Sequence, residues 1–347
     1  MILTKKETRK LMHSHDIVYD QELNKQKQQK ELVVKKYDVA LKEIDKLKHE
    51  LEIVRDIRDY CPKPFSISPK ASSHSSEATA NMIMSDFHCE ERVIKETVND
   101  LNEYDLNIAK ARAVKFFQNG LRLVEIERNG VRVDYLVLAL LGDFINGYLH
   151  PGDEENNELS PTQSVLFMQD ILISGIEFLI KNGEFKKIYI VCKYGNHSRT
   201  GQLIKYETEY QNNFEWLMYH EIKKYFGKEK RVEFIIPISY LYYFDIYNYT
   251  IRYHHGDGVK YNGGIGGLTI PLNKAIATWN KSKTPYLDCI GHYHTFFDGG
   301  NFIANGSGIG YNNFAVKMKF SFEEPKQTFF LIDSKRGKTI TCPIYLS

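Results

Sequence analysis

The hydrophobic pattern of the chain changes near residue 80. Residues from about 21 to 60 are rich in lysine and glutamate, contain neither glycine nor proline, and place apolar side chains three and four positions apart. This spacing predicts one long helix. From residue 81 to about 226, short apolar runs alternate with amphipathic stretches, an order that predicts parallel strands joined by right-handed helical crossovers.

The predicted elements differ between the two halves of the remaining chain. In the first half we predict strands at 81–85, 133–141 and 187–193 and helices at 92–119, 162–181 and 205–226. In the second half we predict one helix at 270–280 and strands at 232–236, 240–252, 287–290, 302–304, 314–320, 328–333 and 339–344. Half α/β and half mostly antiparallel β predicts an α/β fold in which two mixed β-sheets pack face to face between helices.

Three regions follow from these patterns: a helical or coiled-coil arm at 1–60, a linker at 61–80 that is rich in proline and serine, and a catalytic domain at 81–347. Within the arm, Val34, Tyr37, Leu41 and Ile44 follow a heptad-like spacing, and Lys48 interrupts it. A homodimer formed through this helix and a helical arm with a solvated charged face fit the pattern equally well.

Composition limits the partners and the cellular compartment that we expect for the protein. The 347 residues carry a net charge of +2, which neither demands nor excludes nucleic acid as a partner. Five scattered cysteines without a CxxC pair indicate a reducing compartment. The first ten residues lack the apolar core of a signal peptide, and we found no apolar run near membrane-spanning length. We therefore expect a soluble, cytoplasmic protein without a membrane partner.

Candidate chemistry begins where the first apolar run ends, at Asp86-Phe87-His88. On an extended segment, residues two apart point to the same side, so this carboxylate and imidazole could reach one cation. An oxygen and a nitrogen ligand together suit Mn, Fe or Zn. Other apolar runs end in the same manner, at Gly142-Asp143, Gly195-Asn196-His197, His254-His255-Gly256-Asp257 and Gly291-His292-Tyr293-His294.

These motifs matter as an ordered set. A lone Gly-Asp or Gly-Asn-His is usually a turn with a cap. Here each motif follows a strand-like run, and in α/β folds functional residues gather beyond the carboxyl ends of the strands. Half of the twelve histidines fall in these motifs. The set therefore predicts a metal centre.

The order of the motifs resembles that of the calcineurin-like metallophosphoesterase superfamily, over residues 81–344. Further stretches are similar to a bacteriophage-encoded branch of that superfamily: Gly195-Asn196-His197-Ser198-Arg199, His255-Gly256-Asp257, Asn305-Gly306-Ser307 and Pro325-Lys326-Gln327. The resemblance implies a fold of two packed sheets flanked by helices.

The resemblance also implies two divalent metal ions per chain, with Mn²⁺ expected and Fe, Zn, Mg or Ni as alternatives. One ion would be held by Asp86, His88 and His294. The other would be held by Asn196, His255 and His292, and Asp143 would bridge the two. His255 is preferred over His254 because the ligand of the family directly precedes glycine and because neighbouring strand residues face opposite sides.

The expected reaction is attack on phosphorus by a hydroxide held between the two ions, with His197 as the general acid for the leaving oxygen. Arg199 is equally compatible with a phosphate contact and with a surface charge. Many relatives have an acidic residue after Gly-Asn-His where this chain has Ser198, so Asp257 is a candidate for orienting His197. Asn146 is predicted to support the loop.

We predict a phosphodiesterase, a nuclease acting on DNA or RNA, from the site, the phage-like motifs and the basic run at residues 223–231. Two alternatives use the same residues differently. A phosphomonoesterase or cyclic-nucleotide phosphodiesterase would have a narrower pocket. A non-catalytic scaffold subunit of a replication complex would need no turnover.

Overall fold

The structure, a computed structural model, describes residues 5–59, 76–260 and 267–347. The chain divides into two compact units, Met1–Lys70 and Ala71–Ser347. The first contains α1 (Lys5–Asp59), a single helix of 55 residues that begins well before the predicted start at residue 21. Most of the predicted linker lies outside the described residues, and so do residues 261–266.

The second unit contains two sheets. Its strands are β1 (Glu77–Met84), β2 (Arg132–Leu140), β3 (Lys187–Cys192), β4 (Val232–Ile235), β5 (Tyr242–Ile246), β6 (Tyr249–His254), β7 (Leu287–Ile290), β8 (Phe297–Asp298), β9 (Phe302–Ala304), β10 (Lys326–Asp333) and β11 (Gly337–Tyr345). Its helices are α2 (Leu106–Arg128), α3 (Asp153–Asn156), α4 (Pro161–Asn182), α5 (Phe214–Tyr225), α6 (Thr269–Trp279) and α7 (Asn313–Met318). β1 begins at Glu77, so the last four residues of the predicted linker belong to this strand.

Both sheets are mixed. The first has the order β11-β10-β1-β2-β3-β4, in which β1 to β4 are parallel and β10 is antiparallel both to β1 and to β11. The second has the order β5-β6-β7-β9-β8, and its central strands β6, β7 and β9 are parallel. Within the second half, the pairs β5–β6, β8–β9 and β10–β11 are antiparallel and the pairs β6–β7 and β7–β9 are parallel, so this half is mostly antiparallel, as expected, around a parallel centre.

Three apolar clusters define the layers. Side chains from the inner faces of both sheets, such as Val137, Ile251 and Cys289, form one cluster between them. The outer face of the first sheet packs against α2, α4 and α5, and α6 packs against the second sheet through Leu272 and Ile276. The predicted fold of two packed mixed sheets flanked by helices is confirmed.

Two predicted helices start too early. In place of a helix from residue 92, a short 3₁₀ turn (Lys95–Val98) precedes α2, whose first turn is capped where Asp105 accepts a hydrogen bond from Ile108 N. In place of a helix from residue 205, a 3₁₀ segment (Tyr206–Asn212) precedes α5, which Asn213 caps. Asparagine and aspartate favour such caps, and a helical spacing alone does not locate them.

Two predicted strands were also wrong. Residues 240–252 form not one strand but the hairpin β5–β6, which reverses at Tyr247 with a φ of 54°. Instead of a strand at 314–320, the chain forms α7, which ends at Met318, because Asn312 caps this helix by accepting a hydrogen bond from Ala315 N. Both corrections depend on local turn and cap geometry that alternating hydrophobicity does not reveal.

One helix among the described residues, α4, is long and apolar enough by length and composition to cross a membrane. Its side chains Met168, Leu172, Ile176 and Leu179 are buried in the core beneath the first sheet. Core helices of soluble proteins meet the same criterion, so this helix is weak evidence for a membrane span.

The basic run at 223–231 lies at the edge of the first sheet where the parallel strands begin. It directly precedes β4, and the carbonyl of Arg231 accepts a hydrogen bond from Ile188 N near the start of β3. Two of its cations are paired locally, Lys224 with Glu221 and Arg231 with Glu229. The run therefore lies at the opposite end of the strands from the predicted metal ligands.

Candidate metal centre

The candidate centre lies where the carboxyl ends of both sheets meet. Asp86, Asp143 and Asn196 follow β1, β2 and β3, which are neighbours in the first sheet. The second sheet supplies the histidines, since His255 follows β6 and both His292 and His294 follow β7. The structure thus brings the seven predicted ligands together, although their role as ligands stays a prediction.

Six of these residues form two groups of potential ligands, and in each group the ligand atoms lie within 4.8 Å of one another. One group is Asp86, His88 and His294, and the other is Asp143, His255 and His292. The four histidines are divided as in the sequence-based assignment of the two ions, and Asp143, the predicted bridge, lies in the second group. Asn196 joins the second group, because its Oδ1 lies 3.0 Å from His255 Nε2.

The backbone at the ligands is not extended, contrary to the expectation for Asp86-Phe87-His88. β1 ends at Met84, and Asp86 and His88 have φ values of 56° and 43°. Their side chains come together because the loop turns sharply, with Asp86 N donating to the carbonyl of Gly142 and His88 N donating to that of Asp143. These bonds attach the first ligand loop to the second one.

In the first group the imidazoles present lone pairs to a common point. His88 Nδ1 lies 3.2 Å from Asn146 Oδ1, which is an acceptor, so His88 carries its proton on Nδ1 and leaves Nε2 free. That Nε2 lies 3.2 Å from His294 Nε2, which in turn is 3.5 Å from Asp86 Oδ1. Two imidazole nitrogens and a carboxylate directed at one another fit a divalent cation with nitrogen and oxygen ligands.

The second group has the same arrangement. His255 Nδ1 donates to the carbonyl of Leu141 at 2.7 Å, which directs Nε2 toward Asp143 Oδ2 at 2.9 Å. A hydrogen bond from the second ring nitrogen to a backbone carbonyl is the usual way in which proteins orient a metal-ligating histidine. The other oxygen of Asp143 accepts a hydrogen bond from His197 N at 2.9 Å.

Electrostatics also fit a cation. Asp86 and Asp143 are almost completely buried, and in the described part of the chain neither has lysine or arginine within 4 Å. Buried charges require a partner or a metal ion. Burial acts to raise the pKa of Asp143, but His255 and His197 outweigh it and hold this pKa well below its usual value. Burial and the nearby His255 lower the pKa of His292 to about 4. Burial also acts to lower the pKa of His255, but Asp143 outweighs it and raises this pKa. Burial likewise acts to lower the pKa of His294, but Asp86 outweighs it and raises this pKa. The imidazoles of His255 and His294 would therefore release a proton when a metal ion binds.

A buried polar network fixes Asp86 from behind. Ser85 Oγ donates to Asp86 Oδ2, and Asn305 Nδ2 donates to Ser85 Oγ at 2.8 Å. Asn305 also bonds to Gln327 and Thr328 of β10. Asn305 and Gln327 belong to the phage-like stretches, so the resemblance indicated these residues without indicating what they do.

Sequence reasoning missed Glu215 completely. This buried side chain in the first turn of α5 accepts hydrogen bonds from Phe144 N at 2.6 Å and Gly195 N at 2.8 Å, and it thereby ties the Gly-Asp loop to the Gly-Asn-His loop. Burial and then Asp143 raise its pKa to about 7, against the effect of the two N–H donors. An acidic residue in a first helical turn is so common that its position carried no signal.

The two glycines of these loops are in direct contact. A Cβ on Gly142, whose φ is +89°, would lie 2.2 Å from Gly195 N. A Cβ on Gly195 would lie 2.0 Å from Asp143 Oδ1. The glycines in both motifs therefore allow the loops to approach closely enough for their polar side chains to share one site.

His197 lies beside the first group, and its ring is 4.6 Å from that of His88. Its Nδ1 is 3.0 Å from the carbonyl of Asn146, and this contact, not Asp257, orients the ring. Asp257 instead accepts a hydrogen bond from Tyr240 Oη. Asn146 supports the loop as expected, since it contacts both His88 and His197.

His254 and Arg199 complete the predicted set. His254 is buried on the other side of its strand from His255 and packs against Trp279 at 4.8 Å, which agrees with a packing role. Arg199 lies two residues beyond His197 and forms an isolated bridge with Asn213. Its role as a phosphate contact stays a prediction.

No protein-family model matches the chain, and no curated protein does either. Solved structures give weak matches. A hypothetical protein from Pyrococcus horikoshii OT3 is 14% identical, with 77% of this chain and 88% of that chain covered and a TM-score of 0.37. A predicted phosphoesterase from Streptococcus pneumoniae TIGR4 is 13% identical, with 74% and 83% covered and a TM-score of 0.30. Zinc-bound Vps29 from Entamoeba histolytica is 12% identical, with 76% and 99% covered and a TM-score of 0.30. Scores this low do not establish a common fold, and the architecture rests on the sheets and layers of the chain itself.

Proposed function

We propose that this protein is a metal-dependent phosphodiesterase that holds two divalent cations and cleaves nucleic acid. The observation that carries the proposal is the pair of three-residue ligand groups at adjoining carboxyl ends of two sheets. Each group combines one buried carboxylate with two imidazoles, a donor set suited to Mn, Fe or Zn.

Two cations held in this way supply Lewis acidity toward a phosphate group and lower the pKa of water to near neutrality. The residues of the chain do the rest. Asp86 and Asp143 offset the positive charge, and the Leu141 carbonyl fixes the tautomer of His255. His197 is the proton donor for the leaving oxygen in its imidazolium form, in which Nδ1 donates to the Asn146 carbonyl and Nε2 carries the transferable proton.

The choice of nucleic acid rests on the phage-like motifs and on the loop that follows His197. The basic run at 223–231 no longer supports it, because that run lies at the far end of the strands. The loop carries Arg199 two residues beyond His197, Lys205 lines the same pocket as Arg199, and the ring of Tyr206 is exposed. These are side-chain types that bind phosphates and stack on bases.

The test is a panel of substrates with Mn²⁺ and with EDTA: bis-p-nitrophenyl phosphate, p-nitrophenyl phosphate, cyclic nucleotides, single- and double-stranded DNA, and RNA. We expect Mn²⁺-dependent hydrolysis of the diester and of at least one nucleic acid. His255→Asn should lose more than the about 10–100-fold that outer-shell partners of a metal contribute. His49→Asn, on the exposed surface of α1, is the matched control.

Each alternative predicts a different result. Preference for p-nitrophenyl phosphate would make the protein a phosphomonoesterase, and hydrolysis of cyclic nucleotides alone would make it a cyclic-nucleotide phosphodiesterase. Metal binding without turnover of any substrate would support the scaffold.

A further inference from the structure

The segment that follows the general acid forms a loop fixed beside the candidate centre. This rim loop (residues 198–213) begins directly after His197, beyond the end of β3 at Cys192, and leads into α5. Its base is closed by backbone hydrogen bonds, from Phe214 N to the Ser198 carbonyl at 2.8 Å and from Thr200 N to the Asn212 carbonyl at 2.9 Å. Its two ends are therefore held together at the edge of the site.

Side chains also attach the base of the rim loop to the ligand segment. Asn213 Nδ2 donates to the carbonyl of Gly195 at 2.9 Å, and Ser198 Oγ donates to Asn213 Oδ1 at 2.9 Å. Gly195 directly precedes the candidate ligand Asn196. The rim loop is thus held in a fixed position relative to the metal ligands, which a substrate-contacting element requires.

Arg199 is a cation without a partner. Its Nε atom is buried and has no hydrogen-bond partner, and in the described residues its guanidinium makes no ion pair within 4 Å. A buried donor left unpaired costs stability, and such groups are generally satisfied by a ligand or by water. An arginine in this state, three residues from a candidate metal ligand, is suited to receive an anion.

A small groove lies beside Arg199 and is lined also by Thr200, Gly201, Leu203, Lys205, Glu209 and Asn212. Lys205 is held in place because its Nζ donates to Asn212 Oδ1 at 2.9 Å. The groove has two cations against one carboxylate, so its net charge favours an anion. Planar donors such as the Arg199 guanidinium match phosphate oxygens.

Large apolar side chains at the tip of the rim loop are exposed to solvent. Leu203 is 83% exposed and Tyr206 is 79% exposed, and Ile204 between them is also exposed. Large apolar side chains this exposed beside a polar groove mark a binding surface more often than a random position does. A tyrosine ring offers a face on which any base can stack.

We propose that the rim loop binds the nucleotide next to the scissile bond in a single-stranded polynucleotide, with Arg199 and Lys205 holding the flanking phosphate and Tyr206 stacking on the base. The subsite rests on the proposed function and adds a substrate class to it: polymers with a second phosphate, as distinct from small diesters.

Binding can be measured apart from hydrolysis, with fluorescein-labelled oligothymidylate and full-length protein in EDTA, by fluorescence anisotropy at several salt concentrations. Arg199→Gln should weaken binding about tenfold and should reduce the slope of log K against log salt by about 0.7, the value for one phosphate contact on a single strand. Arg199→Lys should keep the slope, because it keeps the charge. Arg122→Gln, an exposed arginine on α2, should change neither quantity.

The stacking contact has its own variant. Tyr206→Ala should weaken binding about tenfold without changing the salt slope, because stacking on a ring is worth roughly this much per base and involves no counterion. Tyr225→Ala, an exposed tyrosine beside the basic run at the other end of the strands, should leave binding unchanged. A loss in Tyr225→Ala that equals the loss in Tyr206→Ala would move the binding surface to that basic run.

Hydrolysis assays then distinguish a loss of binding at the subsite from a loss in the chemical step. With Mn²⁺, Arg199→Gln should raise KM for oligothymidylate about tenfold, and kcat/KM for bis-p-nitrophenyl phosphate should stay within about twofold. Equal losses on both substrates would overturn the subsite and place Arg199 at the scissile phosphate. If wild-type protein hydrolyses neither substrate but the anisotropy results hold, the subsite stands and the proposed function fails. An unchanged affinity and salt slope in Arg199→Gln would overturn the subsite whatever the activity.

Discussion

Five of the seven candidate ligands have a backbone conformation that non-glycine residues rarely adopt. The φ values lie between 43° and 69° for Asp86, His88, Asp143, His292 and His294. The left-handed region costs an L-residue about 1–2 kcal/mol. Such strain persists only where the surrounding structure imposes it, and it clusters at functional sites. Here it lets each loop reverse immediately after its strand, so that His292 N reaches Asp86 and His197 N reaches Asp143.

Asp143 is the residue on which both metal sites are predicted to depend. If its carboxylate bridges the two ions, Asp143→Asn should lose both, whereas Asp86→Asn should spare more of the second site. Elemental analysis of the purified variants would measure metal per chain. Two tightly bound ions in Asp143→Asn would rule out the bridging role, and the fold of each variant can be checked by circular dichroism.

His197 is predicted to act on the leaving group and not on the metal. General acid catalysis contributes roughly 10²–10⁴-fold when the leaving oxygen needs a proton, as a nucleoside alkoxide does. p-Nitrophenolate leaves unaided, so His197→Asn should lose far more kcat/KM on nucleic acid than on bis-p-nitrophenyl phosphate, and it should keep its metal. His292→Asn should depress both substrates together. An equal loss on both substrates in His197→Asn would instead make this residue a ligand or a positioning group.

Glu215 offers a pH-dependent test of the network behind the site. Its folded-state pKa of about 7 lies above the ordinary value of 4.5. The folded state therefore binds this proton more tightly than the unfolded state, and the stability that it contributes is present below about pH 4.5 and is lost as the pH rises through 7. Glu215→Gln removes that dependence and places an amide donor against a backbone N–H, which should cost about 1–3 kcal/mol. The cost should be larger at pH 5 than at pH 8, as measured by urea unfolding. The same cost at pH 5 and pH 8 would show that Glu215 is ionised throughout this range.

At the scale of elements, α2 and α4 can pack closely because residue 175 of α4 is a glycine. A Cβ at Gly175 of α4 would lie 2.0 Å from Cε2 of Phe117, which is buried in α2. Gly175→Ala should therefore destabilise the protein by about 1–3 kcal/mol through overpacking, despite the helix propensity of alanine. Gly130→Ala is the control, because the nearest atom to its Cβ would be 3.8 Å away. If chemical denaturation finds both variants equally stable, the two helices separate more easily than their packing implies.

Strands and helices could be predicted where a continuous apolar pattern defines them. They could not be predicted where a helix cap or a turn sets where an element begins. The parallel strands β1, β2 and β3 were found within a few residues, because buried parallel strands read as continuous apolar runs. The region 314–320 reads as a strand because its aromatic residues favour strands, yet the cap at Asn312 starts a helix there. Boundaries such as Asp105 depend on one side chain accepting one backbone hydrogen bond, and the period of the sequence does not contain that information.

At the scale of the whole molecule, the candidate site combines residues that lie far apart in the sequence and belong to loops of two different sheets. Asp86 contacts His292 because β1 of the first sheet and β7 of the second sheet end on the same side of the two packed sheets. The motif order and the resemblance could name these residues, since each motif is local. The roles of Ser85, Asn305 and Glu215 could not be predicted in the same way. Their partners are set by long-range pairing, which no local pattern encodes.

The first unit contains no predicted ligand, and its surface indicates association. Among the apolar side chains of α1, Tyr37, Leu41 and Ile44 are 64%, 41% and 46% exposed. They continue a heptad seam from Val34 to Leu51, flanked by an acidic column at Glu31, Asp38, Asp45 and Glu52. In an antiparallel pair these acidic columns would face each other, so we expect a parallel homodimer.

Two variants and one truncation test this expectation. Ile44→Glu should convert the protein from dimer to monomer in light scattering, because it places a charge in the seam. Val39→Glu, on the opposite face of the helix, should not. A protein that begins at Ser76, the first residue whose backbone bonds to the first sheet, should be monomeric and should retain hydrolysis of bis-p-nitrophenyl phosphate. A monomeric full-length protein would leave α1 as a solvated arm. A folded truncation without any turnover would instead make the arm part of the active site, and the division of the chain into arm and catalytic domain would then be wrong.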